Sequence, residues 1–213
     1  MGTPTPAGGD PAGGPADLDR RLADAVERLG HGLRALAQRT ARAEGLTPLQ
    51  QQAVLALAVQ PEHRREVGAL AAEFDVTPPT MSDAVAALSR KGLVRRTVGR
   101  DARRRALTLT AEGQELADRI AGWDRPLTDA LALTRAADKG AALDVLLGVI
   151  GELTRTGTIS VARTCTTCRF FARDAHDDPA APHHCRLLDL PLPRSELRTD
   201  CPEHRLPAPG DDT

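Results

Sequence analysis

The four cysteines of this 213-residue chain all lie in one short stretch near its end. Cys165 and Cys168 make a C-x2-C pair; sixteen residues then separate Cys168 from Cys185, and fifteen more separate Cys185 from Cys201. Cysteines spread through a chain read as unconnected buried thiols, whereas four packed into one polar tail read as metal ligands or a disulfide framework. A tail this small and polar cannot fold by burial alone and needs a staple. Residues 1–15 are rich in Gly, Pro and Ala and lack the apolar segment of a signal peptide, so a cytoplasmic location is expected. That setting favours a metal over stable disulfides. In one metal reading, Cys165, Cys168, Cys185 and Cys201 each ligate one iron of a [4Fe-4S] cluster, with Phe170 and Phe171 as a dry wall. In the other, Cys165-x2-Cys168 and Cys201-x2-His204 make two zinc knuckles, with His183, His184 or Cys185 as further ligands. The iron–sulfur reading is favoured because zinc knuckles leave Cys185 without a role, and a metal-free redox thiol pair is the third alternative.

A second chemical feature lies upstream. Arg90, Lys91, Arg95, Arg96, Arg100, Arg103, Arg104 and Arg105 stand against the single anion Asp101, in a chain of net charge −1. Positive charge concentrated this way is the footprint of a phosphate-backbone contact. A solvated, partnerless hairpin is the bland alternative for a charge run taken alone. What precedes the run argues against it. Thr77 can N-cap a helix with Pro78 in its first turn, and Val76 can pack onto Met81 across that start. Met81, Val85 and Leu88 then recur at helical spacing, leaving Thr77, Pro79, Thr80, Ser82, Asp83, Ala86 and Ala87 on a small, polar opposite face. Gly92 can end this helix, and a strand over 93–98, a loop over 99–104 and a strand over 105–110 make a basic hairpin.

The elements around these features are mainly helical. Leu18, Leu22, Val26, Leu29, Leu33 and Leu36 form a long apolar stripe that needs a partner. Thr47, Pro48 and Gln50 open a helix running to about position 60, and another spans 67–74. His63, in the connection between them, carries no assigned role. After the hairpin, Thr110 caps a helix bearing Leu116, Ile120, Trp123 and Leu127, which Pro126 should kink or interrupt. A last helix, over 136–156, presents Leu143, Leu146, Leu147, Ile150 and Leu153. No apolar run approaches the ~20 residues needed to span a bilayer, so no membrane partner is expected. Aromatic residues are scarce, with three Phe, one Trp and no Tyr, so the core must be built from Leu, Val and Ala.

Residues 46–116 resemble the winged helix-turn-helix domain of the MarR family of bacterial transcriptional regulators. The resemblance is carried by Leu46-Thr47-Pro48-Leu49-Gln50, Val67-Gly68-Ala69-Leu70-Ala71, Val76-Thr77-Pro78-Pro79-Thr80-Met81-Ser82, Lys91-Gly92-Leu93-Val94, Asp101-Ala102-Arg103 and Leu109-Thr110-Ala111-Glu112-Gly113, in that order. It implies a homodimer on double-stranded DNA, with recognition helices in successive major grooves and wing arginines in adjacent minor grooves. It places Arg103 at the wing tip and Asp101 on the carboxylate that orients it. Asp83 and Ala87 depart from the pattern, standing where many relatives carry Arg. It also implies that the first and last helices form the two-fold interface, with a small-molecule effector of unknown identity. The cysteine spacing, with Phe170 and Phe171, is in turn similar to that of high-potential iron–sulfur proteins, though this chain lacks that family's aromatic residues near the last cysteine.

The expected fold is therefore mainly α with a small β-wing, with N- and C-terminal dimerisation helices and a small irregular metal-binding tail. The expected domains are a disordered arm over 1–15, the winged-helix and dimerisation region over 16–157, the cysteine-rich tail over 158–206, and a disordered end over 207–213. The expected function is that of a non-enzymatic regulator, repressing as a dimer on a pseudo-palindromic operator, whose four-cysteine metal centre senses redox state or metal supply. The alternative is a thiol–disulfide or electron-transfer protein using the tail. A C-x-x-C redox enzyme would need its first cysteine at a helix N-terminus within a βαβ unit, and none is legible here.

Overall fold

The structure, a computed structural model, describes residues 14–98 and 105–208. Residues 1–13 of the expected arm lie outside the described residues, and α1 spans Pro15–Ala43. The chain divides into two compact units, residues 1–48 and residues 49–213. In the first, Leu18, Leu22, Val26 and Leu29 of α1 are each about half exposed, at 51%, 50%, 51% and 56%.

The second unit begins with α2 (Pro48–Val59), α3 (Val67–Glu73) and α4 (Pro78–Arg90). Two strands follow, β1 (Val94–Val98) and β2 (Arg105–Leu109), antiparallel with Val94 opposite Leu109 and Arg96 opposite Leu107. Their core is aliphatic: Val54, Leu57, Leu70, Met81, Val85, Leu88, Val94, Leu107, Leu116 and Ile120 are buried. The hairpin is fastened at its base. The amide of Leu107 donates to the carbonyl of Arg65, and the Thr110 hydroxyl donates to the carbonyl of Gly92 at 2.6 Å. Thr110 also caps α5 (Ala111–Ile120) by accepting from the amide of Gly113 at 3.0 Å. A Cβ on Gly113 would lie 2.0 Å from the carbonyl oxygen of Leu93, so only glycine allows α5 to sit this close to the wing.

Of the two outcomes expected around Pro126, the helix is interrupted rather than kinked. α5 stops at Ile120, and Pro126 sits in the first turn of a separate helix, α6 (Arg125–Ala132), where its missing N–H costs nothing. α7 (Ala136–Arg155) follows. The tail is not irregular: β3 (Phe171–Ala172), β4 (His183–Cys185) and β5 (Leu190–Leu192) form a three-stranded antiparallel sheet with β4 at its centre. Nor does it stand apart. Leu147 of α7 is buried with Leu192 and Leu197 of the tail, and Leu143, Ile150, Cys165 and Phe171 pack around them. Part of the α7 stripe expected at a two-fold interface is thus used within the chain, because the tail supplies the apolar surface that covers it. Val145, Leu146, Val149 and Leu153, on the other side of α7, remain exposed.

Candidate functional site

The face of α4 is built from its buried side outward. Thr77 accepts from the amide of Thr80 at 3.3 Å, which satisfies a donor that the helix start would leave orphaned. Met81, Val85 and Leu88 are fully buried and fix the helix rotation, so Thr77, Pro79, Thr80 and Asp83 are exposed and Ser82 is half-buried. The expected reading face is therefore presented to solvent. Arg90, at the end of α4, is exposed, as are Arg95 and Arg96 on β1; Arg95 is steadied by a bond from Nε to the hydroxyl of Thr108. Arg105 begins β2. Arg100, Asp101, Arg103 and Arg104 lie outside the described residues.

The tail gathers its four cysteines around one small cavity, which Phe170, Phe171, Leu187, Leu192 and Glu203 also line. Backbone bonds do the gathering. The amide of Cys165 donates to Arg198 and that of Cys201 to Arg163, while Cys168 closes a turn onto Cys165 and Cys185 stands opposite Phe171 in the sheet. All four are unpaired, partly buried thiols. Two donors already point at sulfur: the amide of Arg198 lies 3.2 Å from Cys165 Sγ, and its Nη1 lies 3.8 Å from Cys201 Sγ. Burial pushes the Cys165 thiol up; the Arg198 amide opposes this, and the three neighbouring thiols reinforce it. A redox-enzyme nucleophile needs the opposite shift, and Cys165 opens a three-residue 3-10 turn rather than an α-helix.

Among the described residues, no three His, Cys, Asp or Glu side chains come close enough to hold a single metal ion. The histidines of the zinc reading are engaged elsewhere. His204 uses Nε2 on the hydroxyl of Thr167 at 2.9 Å and its carbonyl at 3.1 Å; burial lowers its pKa against the opposing pull of that carbonyl. His183 is fully buried against Asp144, with 3.2 Å between Nε2 and Oδ2, and His184 meets His176 at 3.1 Å.

Sequence reasoning missed two sets of residues that tie this tail down. Asp144, on α7, receives Arg173 at 2.8 Å and Arg194 at 3.1 Å besides His183. Burial alone would raise its carboxyl, but the hydrogen bond and charge of Arg173, with His183 and Arg194, hold it below the usual carboxylate range. The second set reaches the helix-turn-helix. Arg163 bonds both Glu73, the last residue of α3, and Asp200, beside Cys201. Asp200 also receives Arg64 at 2.7 Å, and Asp75, in the left-handed conformation between α3 and α4, accepts from the amide of Ser160 at 3.0 Å. Nothing in their spacing marks them, since Arg163 and Glu73 are 90 residues apart.

Residues 44–105 match the model of the MarR family. Over those residues the chain is similar to that family. Solved structures carry the same fold. A MepR–DNA complex from S. aureus is 20% identical, with a TM-score of 0.54 over 62% of this chain and 97% of that one. A MarR family protein from Bacillus stearothermophilus is 20% identical, with 0.55 over 67% and 99%. A MarR family regulator from Silicibacter pomeroyi is 25% identical, with 0.52 over 62% and 86%. No curated protein matches the sequence. The family segment ends before the tail, and among the described residues no helix is long and apolar enough to cross a membrane.

Proposed function

We propose that this protein is a transcriptional regulator, repressing in sense, that binds a pseudo-palindromic DNA operator as a homodimer and carries an iron–sulfur centre in its tail. The observation that carries the DNA reading is α4, with its apolar side locked in the core and its Thr77, Pro79, Thr80 and Asp83 side offered to solvent. Such a face suits base edges, while Arg95, Arg96 and the wing-loop arginines supply phosphate and minor-groove contacts. The MepR structure, which holds DNA, supports the same use of the fold. Exposed apolar stripes on α1 and α7 support a second copy as partner.

Cys165, Cys168, Cys185 and Cys201 are the residues that would hold the cluster. Four unpaired thiols gathered round one small cavity support a centre that offers each thiol its own iron, as [4Fe-4S] does, over zinc. Such a cluster supplies one-electron chemistry and sensitivity to oxidants. The chain supplies the rest: Phe170 and Phe171 exclude water, and the Arg198 donors stabilise charge on sulfur. Because Asp200 adjoins Cys201 and pairs with both Arg64 and Arg163, a change at the thiols reaches the α3–α4 turn that sets the recognition helix.

The test compares operator binding at fixed salt by anaerobically purified protein, metal-stripped protein and Cys165→Ser/Cys168→Ser protein. The expected outcome is iron and sulfide in the first sample and an operator affinity that differs from the other two by roughly 5- to 150-fold. Equal binding by all three, with dimers intact, would remove the sensor from the reading; one zinc per chain would replace the cluster.

A further inference from the structure

An open groove of about 980 Å3 lies on the tail and plays no part in the function proposed above. Cys168, Phe170 and Phe171 line both this groove and the thiol cavity, so they form the wall between the two spaces. The groove side of that wall is cationic. Arg169, Arg173 and Arg186 all line it, and its described lining includes no carboxylate. Arg169 lies over the Phe170 ring at 5.5 Å and Arg173 over the Phe171 ring at 5.7 Å. Arg173 spends Nη1 on Asp144, whereas Arg169 and Arg186 pair with no carboxylate among the described residues.

The two unpaired arginines are held on ordered backbone. The amide of Arg186 donates to Phe170 at 2.8 Å, and that of Arg169 donates to Arg205 at 2.9 Å. Like charges gathered on a concave surface repel one another, and a counter-anion relieves that repulsion most effectively when planar guanidinium forks grip its oxygens in pairs. The volume matches a small molecule rather than a protein segment.

We propose that this groove binds a small oxyanion, a phosphate or a carboxylate, whose flat apolar portion lies against Phe170 and Phe171. Arg169 and Arg186 grip the oxygens. Arg173 joins them from its seat between Asp144 and the surface of α7 at Gly148, where a Cβ would meet its Nη2 at 3.5 Å. The site is built from residues beyond the matched family segment.

The experiment titrates the full chain calorimetrically, at constant ionic strength, with phenyl phosphate, benzoate and inorganic phosphate. One saturable site per chain is expected, with an aromatic anion binding more tightly than inorganic phosphate; the tighter of phenyl phosphate and benzoate identifies the headgroup. Arg169→Gln/Arg186→Gln should weaken that binding by about tenfold or more. Arg155→Gln, which alters an α7 arginine paired with Glu152 outside the groove, should leave it unchanged. Arg169→Lys/Arg186→Lys keeps the charge and loses the fork, so intermediate affinity in a folded protein would separate gripping from a folding defect. No saturation by any of the three anions, or equal binding by the Gln variant and wild type, overturns the proposal. So does a Gln variant that loses operator affinity without any small anion present, because the groove would then serve the DNA backbone.

Discussion

Asp144 shows how much one residue can decide. It is a carboxylate set into an otherwise apolar helix face, 8% exposed, with Leu143 and Leu147 beside it and three cationic or ionisable partners arriving from the tail. Without the carboxylate, buried His183 loses its charged partner, while Arg173 and Arg194, whose side chains are 44% and 37% exposed, can turn to water. Asp144→Asn should therefore lower stability by roughly 1–2 kcal/mol at neutral pH, read as a denaturation midpoint shift. The pH dependence follows from the direction of the shift. The folded carboxyl titrates lower than the unfolded one, so its contribution is present above the ordinary aspartate range and is lost as pH falls through the folded value. The gap between wild type and Asp144→Asn should close below about pH 4. A gap that stays constant down to about pH 3 would show that the lost charge is not the cause.

At the scale of elements, α4 was the most legible part of the sequence. Its cap, first-turn proline and Met81, Val85, Leu88 period are local signals, and the structure buries those three side chains while capping with Thr77. α7 was legible as a helix but not in its partners. Leu143, Leu147 and Ile150 make one stripe and Val145, Leu146 and Val149 another; periodicity marks a face without saying what covers it, and the tail takes the first. The tail sheet was not legible because strands of two or three residues are too short to alternate visibly. Thr80→Ala/Ser82→Ala/Asp83→Ala should change the consensus recovered in binding-site selection, whereas Arg95→Ala or Arg96→Ala should reduce the slope of affinity against salt by about one at any sequence. Arg103→Ala, at the expected wing tip, should cost about 1–3 kcal/mol of binding. For α1, Leu22→Glu/Val26→Glu puts charge into the exposed stripe and should yield monomers in sedimentation; dimers that persist would assign the interface elsewhere.

Across the second unit, the tail is joined to the helix-turn-helix at the turn between α3 and α4. Glu73 ends α3, Asp75 makes the left-handed turn, and Thr77 caps α4 two residues later. Arg163 and Ser160 hold the first two, and the carbonyl of Arg163 also accepts the amide of Cys201. One residue thus bonds the thiol site by its backbone and the helix-turn-helix by its side chain. Two recognition helices on successive grooves must keep about 34–36 Å between them, so a small rotation at this turn is enough to spoil the fit. Arg163→Ala keeps the Cys201 backbone bond and cuts the side-chain link, so it should leave operator binding by one state of the tail nearly unchanged. The ratio of affinities between metal-loaded and stripped protein should then shrink towards one, from the roughly 5- to 150-fold range of ordinary coupling. Measuring both affinities for wild type and Arg163→Ala at one salt concentration decides the matter. A ratio that survives the substitution would mean that the signal travels through α7 and Asp144, and then Asp144→Asn is the variant that should abolish it.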